Sequence, residues 1–574
     1  MKTKCILTCR AAALALLATL AAYLNTAQAA GPLMPPGPPA PTGKSLQEIE
    51  PRTLIATLPY TITASGSYYL SNTLVIASGT AITIEANGVT LDLNGCALSS
   101  AASPASGYAI DINGSYEDIS IFNGHIVSGV VQSGGSYSGS GFAYGIYGPG
   151  TYNVRISKLS VSGVFYDGIY VSENSSVVQE CSVDTASSYG IVANVVDHCS
   201  ALGCGIFGII AYQVSDSYGE SPIPNGTGIE CTSAIGCVGS ADAPTGSGYG
   251  IDTTVAENCY GYSYNNVGVG GSTLNNCYGY SYYGTGVSAA VANNCYGTAV
   301  YATNTYAISG SVLDACYGYG GIAGVYAVET ARGCYGYSSY GNGVYAVTAE
   351  NCIGYSYASG SFSAPYAGIS ATVANNCFGY GYSTSLYTYG IDATTANNCF
   401  GFGYYGYGCY ISPGTAANCF GSSTNNYGIF AETAINCYGT SMNGNGLSAT
   451  SANNCYGYSV AGNGMDVTVA NNCFGYTYTG YEGLSAAVAQ NAYGDCQAGN
   501  GGSGGYGLYA DYSANNCFGE NFHMSGTGLY GYLVIGCDGY EGASSSIGLE
   551  AFIGESSTGT GITPLSLTHN LNCY

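Results

Sequence analysis

Three groups of residues in this chain could do chemistry. The first lies between positions 155 and 198: Arg155, Lys158, Asp167, Glu173, Asp184, Asp197 and His198. Carboxylates beside a cation and an imidazole are the mix that general acid–base catalysis uses. The second is a set of 25 cysteines, whose thiols can pair, bind metal or fill space. The third is a set of 59 tyrosines, each offering a partner an apolar ring and a hydroxyl.

The first group weakens on inspection. Asp167 sits in Phe-Tyr-Asp-Gly-Ile, at a turn before an inward Ile, and Asp is common at turns for its local hydrogen bonds. Arg155 and Lys158 are three apart, so strand alternation puts them on opposite faces. His125 and His523 are isolated. Asp252, Glu257, Glu329, Glu350, Asp392, Glu432 and Asp466 are scattered, so spacing picks out no carboxylate pair. There is no nucleophile elbow, zinc motif or phosphate loop, and the GxG matches are what 89 glycines give by chance. No catalytic residue, cofactor site or metal site is assigned.

The elements that must position these residues come from a repeat. Ala-Asn-Asn-Cys-Tyr-Gly around Cys295 returns down most of the chain, and its Cys recurs from Cys181 to Cys537, with Ser217 and Ala492 in two of the places. That makes 19 rungs; nine of the 18 intervals are 18 residues long and the rest run from 19 to 25. A short period with slack in it marks a solenoid. Apolar or small residues lie eight, six and four places before Cys: Val287, Ala289 and Val291; Ile369, Ala371 and Val373; Met465, Val467 and Val469. Period two predicts a strand with one buried face. A bend follows at Ala-Asn-Asn, since Asn tolerates left-handed backbone. A second strand, Cys-Tyr-Gly-Tyr-Ser, puts Cys and Gly inside and the tyrosines outside. Short strands returning with no helix between them predict an all-β chain, a right-handed parallel β-helix of about 18–25-residue coils. The left-handed hexapeptide helix needs an aliphatic residue every six places, and Asn293 breaks that rule. Eighteen steps of ~4.8 Å give a rod section of roughly 86 Å.

Seventeen cysteines lie on this ladder. Neighbours point the same way, with Cβ atoms about one strand spacing (~4.8 Å) apart, beyond the ~3.8 Å of a disulfide. Ser217 and Ala492 replace Cys with no partner changing. The expectation is buried free thiols that pack the core.

The tyrosines fall into two rows. One follows Cys directly: Tyr260, Tyr278, Tyr335 and Tyr456 are members, with Phe at some rungs. The other lies two residues on, with Tyr262, Tyr280, Tyr337 and Tyr458. In register these form two aromatic rails. They either stabilise the sheet by cross-strand stacking or form a contact surface. These eight tyrosines are the candidate binding residues.

In order, residues 1–29 resemble a secretory signal peptide, with Lys2, Lys4 and Arg10, an apolar run from Ala11 to Leu24 and Ala27-Gln28-Ala29 as cleavage site. Residues 30–43 are a Pro-rich linker. Residues 44–59 are an N-terminal cap segment with one short helical turn, residues 60–557 the β-helix, and residues 558–574 a cap or tail over the last coil. Gly134 to Gly141 is expected to project as a loop. The head, with PPGPPAPT, IEPRT, LPYTI, GSYYL and VTLDLNG, resembles bacterial secreted right-handed parallel β-helix repeat proteins of the pectin-lyase-like superfamily. The match is close over the 65 residues from Gly31 to Gly95 and general beyond. It implies fold and export, brings no catalytic residues, and makes Asp92 of VTLDLNG structural.

Net charge is −24 with eight Lys and Arg. That argues against nucleic acid, whose phosphates need cations, and against anionic polymers unless calcium bridges them. No segment is long enough to span a bilayer. The expected protein is secreted or cell-surface, a β-helix with a structural, adhesive or interaction role; its partners would be polysaccharide, cell-surface glycan or other surface proteins. The alternative is a polysaccharide lyase or glycoside hydrolase with its site near residues 150–200.

Overall fold

The computed structural model describes residues 51–574 except 302–303, 359–364, 385–386, 498–503, 562, 572 and 574. The signal-like segment, the linker and residues 44–50 lie outside the described residues. No described residue is helical. Among the described residues, fifty-four strands join one sheet that winds into a parallel β-solenoid of about 25 coils.

Each repeat coil contributes one long and one short strand. Val287–Asn293 pairs in parallel with Val269–Asn275 of the coil before and Tyr306–Asp314 of the coil after. Tyr296–Ala299 likewise pairs with Tyr278–Ser281 and Tyr317–Gly320. Cys295, Gly297 and Ala299 point inward, and Tyr296 points out.

The inward residues of the long strand differ from strict alternation. Val287 and Ala289 are buried as expected, but Val291, Val373 and Val469 are only half-buried. Ala292, Ala374 and Ala470 are fully buried instead. The strand bends near Ala290, so the next inward place comes three residues after Ala289, not two. The coil turns its corner two residues later, at the second Asn: Asn276, Asn294 and Asn454 have φ of 52°, 51° and 52°. Asn pays little for this left-handed backbone. It also hydrogen-bonds along the stack: Asn293 and Asn294 donate to Asn275 and Asn276 at 2.9 and 2.8 Å.

Two further features fix the thin interior. A methyl group at Gly279 would overlap the Gly286 carbonyl, and one at Gly286 would overlap the Thr298 backbone nitrogen; only Gly allows the two walls to approach this closely. The Ser closing the short strand is buried but satisfied. Ser459 Oγ donates to Gly444 O at 2.6 Å and accepts from Gly462 N at 2.8 Å.

The head has longer strands, Glu117–Val127 and Tyr152–Val164, and a core of Ile62, Leu70, Ile84, Leu91 and Ile110. Asp92 is structural: its Oδ1 accepts from Asn94 N at 2.7 Å and Asn123 Nδ2 at 3.1 Å. Three expectations change here. The described part of the cap segment is a strand, Thr53–Ile55, paired with Tyr68–Leu70; a β-branched, apolar Thr-Leu-Ile favours strand over a helical turn. The expected projecting loop is the return strand of a hairpin, Gly129–Ser133 with Ser136–Ser140, drawn back because Tyr137 Oη donates to Gly203 O at 3.0 Å. At the other end, Thr563–Leu571 pairs with Ile547–Glu555, so the tail continues the solenoid.

Candidate functional site

The short strands place the first aromatic row. Tyr260, Tyr278, Tyr296, Tyr317 and Tyr335 stack with centroids 4.6–5.2 Å apart. A second run goes from Phe378 through Phe400, Phe420, Tyr438, Tyr456, Phe474 and Tyr493 to Phe518 at 4.6–5.1 Å. These spacings follow from one ring per coil at ~4.8 Å. Ile353 separates the two runs, and Tyr355 leans into the gap against Tyr335 and Phe378.

The other row is shorter. Tyr262 meets Tyr280 at 5.7 Å, Tyr319 meets Tyr337 at 4.8 Å and Tyr458 meets Tyr476 at 5.3 Å. Thr298 and Ser422 interrupt it. Of the eight candidate tyrosines, Tyr260 is 38% exposed and the other seven are half-buried. Stacking covers the ring faces and leaves edges and hydroxyls outward. Burial pushes the phenols of Tyr262, Tyr280 and Tyr456 up to about 12, so at neutral pH they carry their protons and can donate hydrogen bonds.

Sequence reasoning missed other stacks. Tyr264, Tyr282 and Tyr301 form a third row beyond the buried Ser. Tyr306, Tyr326 and Tyr345 stack on the long-strand side at 4.1 and 5.1 Å, beside a hollow of about 320 Å³ that also meets Asn304, Asn342 and Tyr366. These tyrosines border loops of variable length, so their registration was not legible before the coils were aligned.

The charged group divides. Lys158 (φ 55°), Glu180 (52°), His198 (50°) and Asp216 (44°) all occupy the left-handed corner that Asn takes elsewhere. This overturns the alternation reading of Arg155 and Lys158. The strand kinks at Lys158, so both side chains are exposed. The corner charges alternate in sign. Lys158 Nζ lies 3.9 Å from Glu180 Oε2; His198 Nδ1 lies 2.9 Å from Asp197 Oδ1 and its Nε2 3.9 Å from Asp216 Oδ2. Ser215 Oγ donates to Asp197 at 2.6 Å. That bond and then His198 hold the Asp197 carboxyl below its usual range, and Asp197 in turn raises His198. Donor atoms of Asp197, His198 and Asp216 lie within 4.8 Å of one another, and the imidazole already lies against both carboxylates.

The remaining members go elsewhere. Arg155 borders a hollow of about 220 Å³ with Thr90, Ser120, Phe122 and Gln179, and none of the acids lines it. Asp167 is buried, with Tyr189 N donating to it at 3.3 Å; burial raises it. Asp184 and Glu173 are both exposed, and Asp184 pairs in register with Leu202. Among the described residues, two adjacent carboxylate pairs lie outside this group. Glu230 and Asp252 are register partners, as are Asp495 and Glu520, which continue the row of Tyr458 and Tyr476. Burial pushes Asp495 up to about 6, and Tyr493 Oη donates to Glu520 Oε2 at 2.6 Å. The signal was present, since both acids sit three residues after a ladder position, where other rungs carry Tyr.

All seventeen ladder cysteines are free and buried. Cys295 Sγ donates to Leu274 O at 3.4 Å and to Asn293 O at 3.3 Å. Bonds between neighbouring thiols push Cys277 up and Cys259 down. Burial acts upward on both, and that is the direction for the row as a whole.

No protein family, curated protein or solved structure matches this chain.

Proposed function

We propose that this protein is an exported, non-catalytic β-helix that holds a glycan along its aromatic rails. The observation that carries the reading is the stack of five tyrosines from Tyr260 to Tyr335, with Tyr262, Tyr280, Tyr319 and Tyr337 in the row beside it. Such a rail presents ring edges with phenol hydroxyls at coil spacing, apolar and hydrogen-bonding at once, as a polyhydroxylated polymer requires. The net charge of −24 favours a neutral glycan over an anionic one. The likeness of the head to the pectin-lyase-like superfamily supports export and a polysaccharide setting, and a structural or adhesive role follows from a surface that repeats.

The test replaces Tyr262, Tyr280 and Tyr337 with Thr, a good strand former. Attachment to neutral glycans on an array should fall while the melting temperature barely moves, and added salt should change little. A change in stability alone would reduce the rails to scaffold. Loss of binding to a protein surface instead would identify the other class of partner.

One observation favours a catalytic reading: Asp495, raised to about 6, beside Glu520 at the end of an aromatic row. A raised acid next to a second carboxylate is what glycoside hydrolysis uses. Release of reducing ends by the wild type, abolished in Asp495→Asn, would establish it in place of the binding role.

A further inference from the structure

We propose that the buried cysteine row is a one-dimensional site for a soft monovalent d10 cation, with Cu(I) as the probe. Thirteen consecutive rungs from Cys237 to Cys473 carry Cys, between Ser217 and Ala492. The stack is in register at these rungs, as Tyr296 N donating to Cys277 O at 2.9 Å shows.

Spacing selects the ion. A metal–thiolate bond is about 2.3 Å, so an ion held linearly between two sulfurs spans about 4.6 Å. The coil repeat that sets the sulfur spacing is about 4.7–4.9 Å. Each gap therefore fits a two-coordinate ion with little movement. Zinc prefers four ligands in a tetrahedron, and a single row supplies two sulfurs per gap; thiolate favours soft Cu(I). Charge balances as well. Thirteen thiols leave twelve gaps, and twelve Cu(I) ions replace twelve thiol protons, which leave to solvent, so the interior stays neutral. Access is short: a groove of about 480 Å³ runs over the corner, lined by Asn376 and Asn398 and reaching Cys352, Cys377 and Cys399.

The fold tolerates removal of single thiols. Ser217 occupies a rung natively, its Oγ donating to Ser215 O at 2.6 Å and accepting from Cys199 N at 3.0 Å, so Ser reproduces the row's hydrogen bonds. The experiment titrates reduced protein anaerobically with buffered Cu(I). Readouts are bound metal, the sulfur-to-metal charge-transfer band, X-ray absorption and circular dichroism. The long run gives twelve gaps, and the pairs Cys181–Cys199 and Cys517–Cys537 add one each. We expect about fourteen tightly held ions, two sulfurs around each, and an unchanged β spectrum. A variant with Cys259, Cys295, Cys334, Cys377, Cys419 and Cys455 all changed to Ser leaves no neighbours in the long run, and uptake should fall to about two. Cys316→Ser alone closes two gaps and should lose two ions, which keeps the test available if the sixfold variant does not fold. Cys96→Ser should lose none. Uptake that falls only in proportion to the thiols removed would overturn the proposal, as would no uptake by folded protein or uptake accompanied by loss of β-structure.

Discussion

The head, residues 53–178, and the repeats, residues 181–537, use one architecture with two kinds of interior. The head is filled by large aliphatics such as Ile62, Leu70, Ile84 and Leu91, all fully buried. The coil of Cys295 buries one large aliphatic residue, Val287, and then Ala289, Ala292, Cys295 and Gly297. Cores of branched side chains gain from area removed from water. Cores of Gly, Ala and Cys bury less area per coil and rely on close backbone approach and on ladders of Asn, Ser and thiol. The lesson is that pairing geometry belongs to the backbone, while the width of the interior is set by side-chain size. The corner divides further along, inside the repeats: Lys158, Glu180, His198 and Asp216 fill by alternating charge the places that Asn276 and Asn294 fill by amide bonds.

The comparison breaks most sharply where each core is most exacting. Ile84→Ala should leave a cavity in the head and cost about 2–5 kcal/mol, seen as faster amide exchange in the paired strands Tyr60–Ile62 and Tyr108–Ile112. Gly279→Ala should fail in the opposite sense, by overlap, and cost about 1–3 kcal/mol. Denaturant titration with local exchange would read it, and a neutral outcome would show that the repeat walls can separate. Cys295→Ala should cost on the order of 1 kcal/mol and Cys295→Ser less, since Ser217 serves natively. Denatured, unreduced protein should then reveal many free thiols that the native fold hides from a bulky reagent; thiols already oxidised would show a disulfide ladder instead.

The smallest effect separates the two corners by pH. His198 is raised by Asp197, so its contribution is full below its unfolded value and is lost as pH rises through the folded value. Asp197 is lowered, first by Ser215, so its contribution is present above its unfolded value and is lost as pH falls through the folded one. The charged corner is therefore strongest in mild acid. Melting temperature should drop slightly from about pH 5.5 to about 8.5, and His198→Asn should remove that part of the slope. An imidazole titrating at its ordinary value by NMR would count against the ladder.

The sequence by itself determined the repeat, the parallel stack, the inward Cys and Gly and the outward aromatic rows. Each follows from period two within a strand and one residue of each kind per coil, a pattern carried by side-chain type alone. Tertiary structure decided the rest. Whether Val291 or Ala292 faces inward depends on where the strand bends. Which tyrosines of unequal loops meet depends on how those loops register. Arg155, Lys158, Asp167, Glu173 and Asp184 are close in sequence but face different sides, because a left-handed corner at Lys158 and each further turn of the coil redirect the chain. Asp495 and Glu520 are 25 residues apart yet adjacent, because in a solenoid the nearest neighbour of a residue lies one coil away.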